Sequence, residues 1–298
     1  MQNADRKFKC EEYNQTTRCG TIAIIGRPNV GKSTLLNKIL GEKLSITSAK
    51  PQTTRHQILG IKTEKNTQWI YIDTPGLHQQ TQRRLSREMV RSAISALTKV
   101  DVIGFVVEAG RWTSEDEAIL ERLKRQDHPV ILIVNKVDKI KDKPRLLPFL
   151  AECSDKMPFL SIIPLSAQTG DNVAELEKAI AKQLPFSEFV YPSDQCTDRS
   201  QRFLAAEFIR EKLMRTLYKE LPYWLTVVIE QFEEQAKVIK ISAVILAERP
   251  GQKAIIIGKK GELLKKVGTE ARLDMQRCFG KKVYLMLWVK VKAGWSEE

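Results

Sequence analysis

Nowhere do the 298 residues hold the ~18–20 consecutive apolar positions that a membrane-spanning helix needs. The opening stretch, MQNADRKFKCEEYNQTTR, has no apolar run, which excludes a secretory leader and fits a disordered extension. Cysteine is scarce and scattered: Cys10, Cys19, Cys153, Cys196 and Cys278 are odd in number and show no CxxC spacing. The histidines, His56, His78 and His128, lie far apart, so neither a zinc site nor a disulfide framework can be read. Internal repeats and low-complexity tracts are also missing. These absences leave the expectation of a soluble chain in the cytoplasm.

What is there is a composition of 42% hydrophobic and 29% charged residues, in a chain long enough for two ordinary cores. The formal net charge is +13 and unevenly spread. Arg199 to Glu298 holds 20 basic against 12 acidic residues, whereas the first 198 positions hold 29 against 24. A basic excess confined to one part points to a polyanionic partner, nucleic acid or anionic lipid.

Two rhythms divide the chain. From Gly20 to Leu184, the apolar runs TIAIIG, WIYID, VIGFVV, PVILIVNK and FLSIIPLS alternate with KSTLLNKIL, SREMVRSAISAL, EDEAILERLKR and NVAELEKAIAKQL, which have helical spacing. Alternating strands and helices predict an α/β domain with a mostly parallel sheet covered on both faces. HQILGIKTE, just before WIYID, predicts one antiparallel hairpin. Residues 1–19 read as the extension, 20–184 as the first domain and 185–198, with Pro185 and Pro192, as a linker. Residues 199–298 open on a long amphipathic helix read over Gln201–Leu221 and have the order α-β-β-α-α-β, predicting a separate α+β unit.

Strand TIAII runs into Gly26-Arg27-Pro28-Asn29-Val30-Gly31-Lys32-Ser33-Thr34, then a helix. This is a phosphate-binding loop in its required context. The glycines let backbone N–H groups turn towards phosphate oxygens, and the helix N-terminus adds positive potential. Lys32 would meet the terminal phosphates and Ser33 a Mg2+ ion. Asp73-Thr74-Pro75-Gly76 follows a strand, where Asp73 can hold the metal through water and the Gly76 N–H can sense a γ-phosphate. Asn135, Lys136 and Asp138 end another strand, at the sheet edge where α/β proteins bind ligands. Asp138 can accept two hydrogen bonds that guanine offers and adenine does not, a preference of roughly 10²–10⁴. Asn135 would brace the loop and the Lys136 stem would stack on the base. Ser166-Ala167 would give a backbone N–H to the base oxygen. Together these residues imply GTP binding.

In Ras-type switches a glutamine after DxxG orients the attacking water; here Leu77 stands in its place. Either hydrolysis is very slow or another group assists: Asn29, a monovalent cation that it coordinates, a partner or, as a weaker candidate, His78. The aperiodic segment 46–56 falls where a nucleotide-sensing loop must lie. Thr54, with Thr53 as the alternative, is the expected hydroxyl over Mg2+. Lys32, Asn29, Thr54 and Gly76 are the expected catalytic set, and Ser33, Thr54 and Asp73 the metal set.

Gly258-Lys259-Lys260-Gly261 lies between two helical stretches of the basic third. Such a loop clamps the backbone of about four nucleotides in KH domains. Lys265, Lys266 and Arg272, with Lys281 and Lys282, extend the positive face, and Ile255, Ile256 and Ile257 are expected in the apolar wall under the bases, with some of them in the core instead. A type II KH domain binding RNA is the favoured reading, and a membrane-surface docking domain is the alternative.

The motifs GRPNVGKSTLLN, PQTTRH, DTPGLH, NKVD, SAQTG, GKKGELLKKVGTEAR and KKVYLMLWVKV together resemble the Era family of bacterial GTPases, over nearly everything from about Gly20. The single phosphate loop separates the chain from the related double-GTPase family. The resemblance implies binding of the 3′ end of small-subunit ribosomal RNA, a role in small-subunit maturation, and peripheral association with the inner membrane. It also implies stimulation by K+ through Asn29, the matching position. The expected protein is thus a slow GTPase and a monomer, partnered by GTP, GDP and the small ribosomal subunit, with no zinc and no DNA.

Overall fold

The computed structural model describes residues 16–48, 50, 53, 57–74, 100–218 and 221–292. Five parallel strands, β1 (Arg18–Ile25), β3 (Thr67–Asp73), β4 (Val102–Glu108), β5 (Val130–Asn135) and β6 (Ser161–Leu165), form one sheet with β2 (Ile58–Glu64). The order is β2-β3-β1-β4-β5-β6, and β2 alone is antiparallel to its neighbour, turning at Lys65 and Asn66. This is the predicted hairpin at one edge of a mostly parallel sheet.

Strand β1 shows why both faces must be covered. Successive side chains alternate across a strand, so Ile22 and Ile24 enter one apolar layer while Ala23 and Ile25 enter the other. Helices α1 (Lys32–Leu40) and, below, α4 (Val173–Ala181) close the first layer with Leu35, Leu36, Leu176 and Ile180. Helices α2 (Ser114–Leu123) and α3 (Leu146–Ser154) close the second with Ile119, Leu120 and Cys153. The loops at the C-terminal ends of β1, β3, β4, β5 and β6 therefore share one edge, and the site lies there.

The second sheet holds β7 (Leu225–Glu234) antiparallel to β8 (Val238–Ala247), and β9 (Lys282–Val291) parallel to β8. Helices α5 (Gln201–Thr216), α6 (Pro250–Ile257) and α7 (Glu262–Phe279) contribute Phe208, Ile209, Ile256, Val267 and Met275 to its core. The order α5-β7-β8-α6-α7-β9 is the predicted α-β-β-α-α-β frame. Leu44, from the loop after α1, is 2% exposed and belongs to this second core.

Three expectations change. The extension expected over 1–19 is shorter, because β1 starts at Arg18 and Cys19 is buried, its backbone paired with Gln68. Residues 185–198 are irregular, as a linker should be, but they are pinned to the first sheet. Phe186 bridges Arg18, Thr197 bridges Gly60, and Gln68 Oε1 accepts the Val190 and Tyr191 N–H groups at 2.9 and 3.0 Å. The helix read over Gln201–Leu221 as amphipathic ends at Thr216 and buries four charged residues, Glu207, Arg210, Glu211 and Lys212. The helix expected over 86–97 lies outside the described residues. Among those described, no helix is long and apolar enough to cross a membrane.

Phe208 has no exposed surface and sets its ring 6.3 Å from that of Phe279. Phe208→Ala should cost about 3–5 kcal/mol of stability, because the aromatic contact is lost and a cavity remains. Urea unfolding followed by Trp fluorescence reads this as a lower midpoint; an unchanged midpoint would place Phe208 outside the core.

Candidate functional site

The backbone of the phosphate loop is fixed by two contacts that only glycine permits. A Cβ on Gly26 (φ +154°) would lie 2.4 Å from the Val106 carbonyl oxygen, and one on Gly31 (φ +105°) 2.3 Å from Asn135 Nδ2. With the loop curled this way, Lys32 Nζ donates to the Gly26 and Arg27 carbonyls, each at 3.0 Å. Asn29 takes a left-handed conformation (φ 64°) at the mouth. A cleft of about 310 Å³ opens above, lined by Pro28, Asn29, Gly31, Lys32, Ser33 and Thr34. Its other walls are Ile46, Thr47, Ser48, Lys50 and Thr53 on one side and Lys136 and Lys139 on the other.

Asp73 sits fully buried at the end of β3. Its Oδ2 accepts from Ser33 Oγ at 2.8 Å, and its buried Oδ1 has no partner among the described residues. Burial pushes this carboxyl up, opposed by the Lys32 charge and the Ser33 hydrogen bond. A buried carboxylate oxygen without a donor, next to a hydroxyl, is a donor set that suits a hard divalent cation.

The base-side loops are braced from within. Asn135 Nδ2 donates to the Val30 carbonyl at 2.7 Å, and Ser166 Oγ donates to Asp138 Oδ1 at 2.6 Å. The Ala167 N–H, expected to face a base oxygen, donates instead to Asn135 Oδ1 at 2.9 Å, and the Ser166 N–H donates to the Asp171 carbonyl. Some expected residues reach the cleft only through their backbone or not at all. Val30 is buried in the first core, the Arg27 guanidinium turns away to Glu108 and Asp116, and Thr74 Oγ1 donates to the Ile24 carbonyl at 2.8 Å. Thr53 lines the cleft, with its hydroxyl donating to the Lys50 carbonyl at 2.7 Å. Thr54, Pro75, Gly76, Leu77 and His78 lie outside the described residues.

Sequence reasoning missed how the cleft wall formed by Ile46, Thr47, Ser48, Lys50 and Thr53 is held. Helix α5 grips it: Glu211 Oε1 accepts the Thr47 N–H at 3.0 Å and its hydroxyl at 3.2 Å. Arg215 Nε donates to the Thr47 carbonyl at 2.9 Å, Arg210 to the Thr53 carbonyl at 2.6 Å, and Lys50 Nζ to the Leu217 carbonyl. Lys43 bridges Glu211 and, at 2.6 Å, Asp274 of α7. The only signal in the sequence was a run of charges at helical spacing, 207, 210, 211 and 215.

A second cleft, of about 380 Å³, lies between α7 and β9. Gly261, Leu264, Lys265, Gly268, Thr269 and Arg272 form one wall, and Leu285 and Leu287 the other. Gly258 (φ 73°) and Gly261 (φ 79°) both take positive φ before the α7 N-terminus, and only Gly261 is left-handed helical; Lys259 and Lys260 are exposed between them. Ile256 does not line it: the side chain is fully buried in the second core, because the inward face of α6 falls on it. Lys266 is exposed but outside the cleft lining. Leu285, Leu287, Gly268 and Thr269 were not foreseen; a Cβ on Gly268 would stand 3.2 Å from Leu287 Cδ1, so this glycine lets helix and strand approach.

Residues 21–136 match the family model of 50S ribosome-binding GTPases, and residues 220–296 that of KH domains. GTPase Era of Marinobacter nauticus is 59% identical over 284 residues, covering 95% of this chain and 93% of that protein. GTPase Era of Coxiella burnetii is 57% identical over 281 residues, covering 94% and 95%. A crystal structure of Era in complex with MgGDPNP and nucleotides 1506–1542 of 16S ribosomal RNA superposes with a TM-score of 0.90 at 41% identity, covering 95% and 96%. Aquifex aeolicus Era bound to GDP·AlF4− gives the same TM-score at 40% identity. Fold and site thus define a P-loop GTPase carrying a C-terminal KH domain. Within that class, the chain belongs to the Era family.

Burial holds the Lys32 ammonium down to about 8, below its ordinary 10.5, while the Asp73 charge pulls it up. The free protein therefore loses this charge as pH rises through about 8, whereas bound phosphates favour the charged form. Nucleotide bound against Lys32 would then take up a proton above that pH. GDP affinity should fall by up to ~10-fold per pH unit above pH 8 and stay flat below it. Titration of wild type against Lys32→Met checks this; equal slopes in both would show that Lys32 does not titrate there.

Proposed function

We propose that the first cleft binds GTP, and that this GTPase gates the grip of the second cleft on single-stranded RNA from the small ribosomal subunit. The observation that carries the nucleotide reading is the group formed by buried Lys32 and Asp73 with half-buried Ser33. It places one ammonium for terminal phosphates beside an anionic oxygen with no donor of its own. Lys32 neutralises phosphate charge, and the N–H groups of Gly31, Lys32 and Ser33 orient it. Ser33 and Asp73 would hold Mg2+, which would shield charge on the phosphate oxygens. Asp138 selects guanine, with Asn135 and Ser166 keeping it in place, and Lys136 lies along the base. The Thr53-Thr54 stretch and Gly76 sense the γ-phosphate. For the missing glutamine we assign Asn29 and a potassium ion, which should raise turnover above that in Na+.

Gly258, Lys259, Lys260 and Gly261 clamp the RNA backbone, Lys265 and Arg272 meet further phosphates, and bases rest on Leu264, Leu285 and Leu287. The relative crystallised with 16S ribosomal RNA supports this choice of ligand. Because α5 holds the wall of the nucleotide cleft, a change in that wall on hydrolysis reaches the RNA-binding half directly.

Lys32→Ala should abolish GTP hydrolysis while leaving RNA affinity in the nucleotide-free protein close to wild type. Gly258→Asp should abolish RNA affinity, since a side chain at φ 73° would meet Leu263 Cβ at 2.7 Å and add a negative charge. About four phosphate contacts predict a log–log salt slope near ~−2.8. RNA binding that survives Gly258→Asp, or that anionic vesicles displace, would contradict the reading of the second cleft.

A further inference from the structure

Glu108 ends β4 directly opposite Asn135 in the β4–β5 register, so its side chain emerges beside the loop that follows β5. One carboxylate oxygen stands 3.1 Å from Lys136 Nζ, and the other 3.0 Å from Arg27 in the phosphate loop. Arg27 is in turn fixed from behind by Asp116, whose fully buried carboxylate takes the Arg27 Nε at 3.1 Å and caps α2 in a capping box with Thr113. The Arg27 carbonyl also accepts from Lys32 Nζ. A continuous polar line thus runs from the α2 N-terminus through the phosphate loop to the base loop. The Glu108 side chain touches both loops.

Lys136 is where such a tie matters. It holds a left-handed backbone (φ 67°), which a long side chain does not adopt without outside support. Its free stem would sample many rotamers, and ordering them on binding would weaken nucleotide affinity. An ammonium anchored beforehand leaves the stem laid out as a flat apolar surface. Burial alone would raise the Glu108 carboxyl, but hydrogen bonds from Lys136 and Arg27 outweigh it and hold the group below its ordinary value, keeping it ionised.

We propose that Glu108 is a positioning residue for guanine nucleotides: it presets Lys136 against the base and locks the base loop to the phosphate loop through Arg27. The role rests on the reading of residues 135–138 as the base loop. It assigns part of guanine affinity to a side chain that touches no nucleotide.

The test is Glu108→Gln in the full-length protein, which keeps shape and removes charge. Affinity for GDP and for a non-hydrolysable GTP analogue should both fall about tenfold, the worth of one lost charge-assisted contact. The loss should appear in Kd and KM, with kcat at saturating GTP far less affected. In a double-mutant cycle with Lys136→Met, the two losses should be strongly non-additive, since both break one contact. Fully additive losses, or a lowered melting temperature with unchanged affinity, would overturn the positioning role. Competition by adenine and guanine nucleotides on the wild type separates the two levels. If the wild type does not prefer guanine, the base-loop reading fails; if it does and Glu108→Gln binds as tightly, only the role of Glu108 fails.

Discussion

Burying a carboxylate away from water costs several kcal/mol unless opposite charge and hydrogen-bond donors replace the lost hydration. Glu211 has no exposed surface, and its donors come from both halves of the chain: Lys43 and Thr47 from the first, Lys212 and Arg215 from its own helix. Burial alone would raise this carboxyl, yet these donors outweigh it and hold it below its ordinary value. The charge is therefore tolerated only while Lys43, Thr47 and α5 stay together. Thr47 also lines the nucleotide cleft. A single buried ion thus makes the shape of the GTP site and the seating of the KH half one problem rather than two.

The same logic organises the cleft itself. Loops at the C-terminal edge of the first sheet are tied to one another by polar contacts: Asn135 to Val30, Ser166 to Asp138, Ser33 to Asp73. Apolar packing behind the loops supplies the rigidity. The loops carry specificity because β1, β3, β4 and β5 are buried along most of their length and cannot shift register without exposing one core or the other.

Much of this was legible in residue order. Continuous apolar strands such as VILIVN have only one sensible place, the middle of a parallel sheet, and glycines before a Lys-Ser pair require a curled backbone. What stayed hidden has physical reasons. Ile256 sits in a run of three isoleucines, where periodicity has no phase, so its burial could not be distinguished from that of its neighbours. The start of β1 was missed because Arg18 and Cys19 carry no strand signal of their own and are ordered by pairing with Thr67 and Gln68. The α5 grip joins positions more than 150 residues apart, and buried charges look like a solvated face until the element opposite is known. The apolar wall of the second cleft depends on which face of β9 turns towards α7, and two-residue alternation alone does not choose.

The most direct test of coupling through Glu211 is RNA affinity measured with a GTP analogue, with GDP and without nucleotide, for the wild type and for Glu211→Gln, each shown to be folded by its melting transition. The account requires the wild type to bind RNA with different affinity in the GTP-analogue and GDP states, and the variant to lose most of that difference while still binding RNA. Equal wild-type affinity in all three states, or a difference that survives intact in Glu211→Gln, would contradict it.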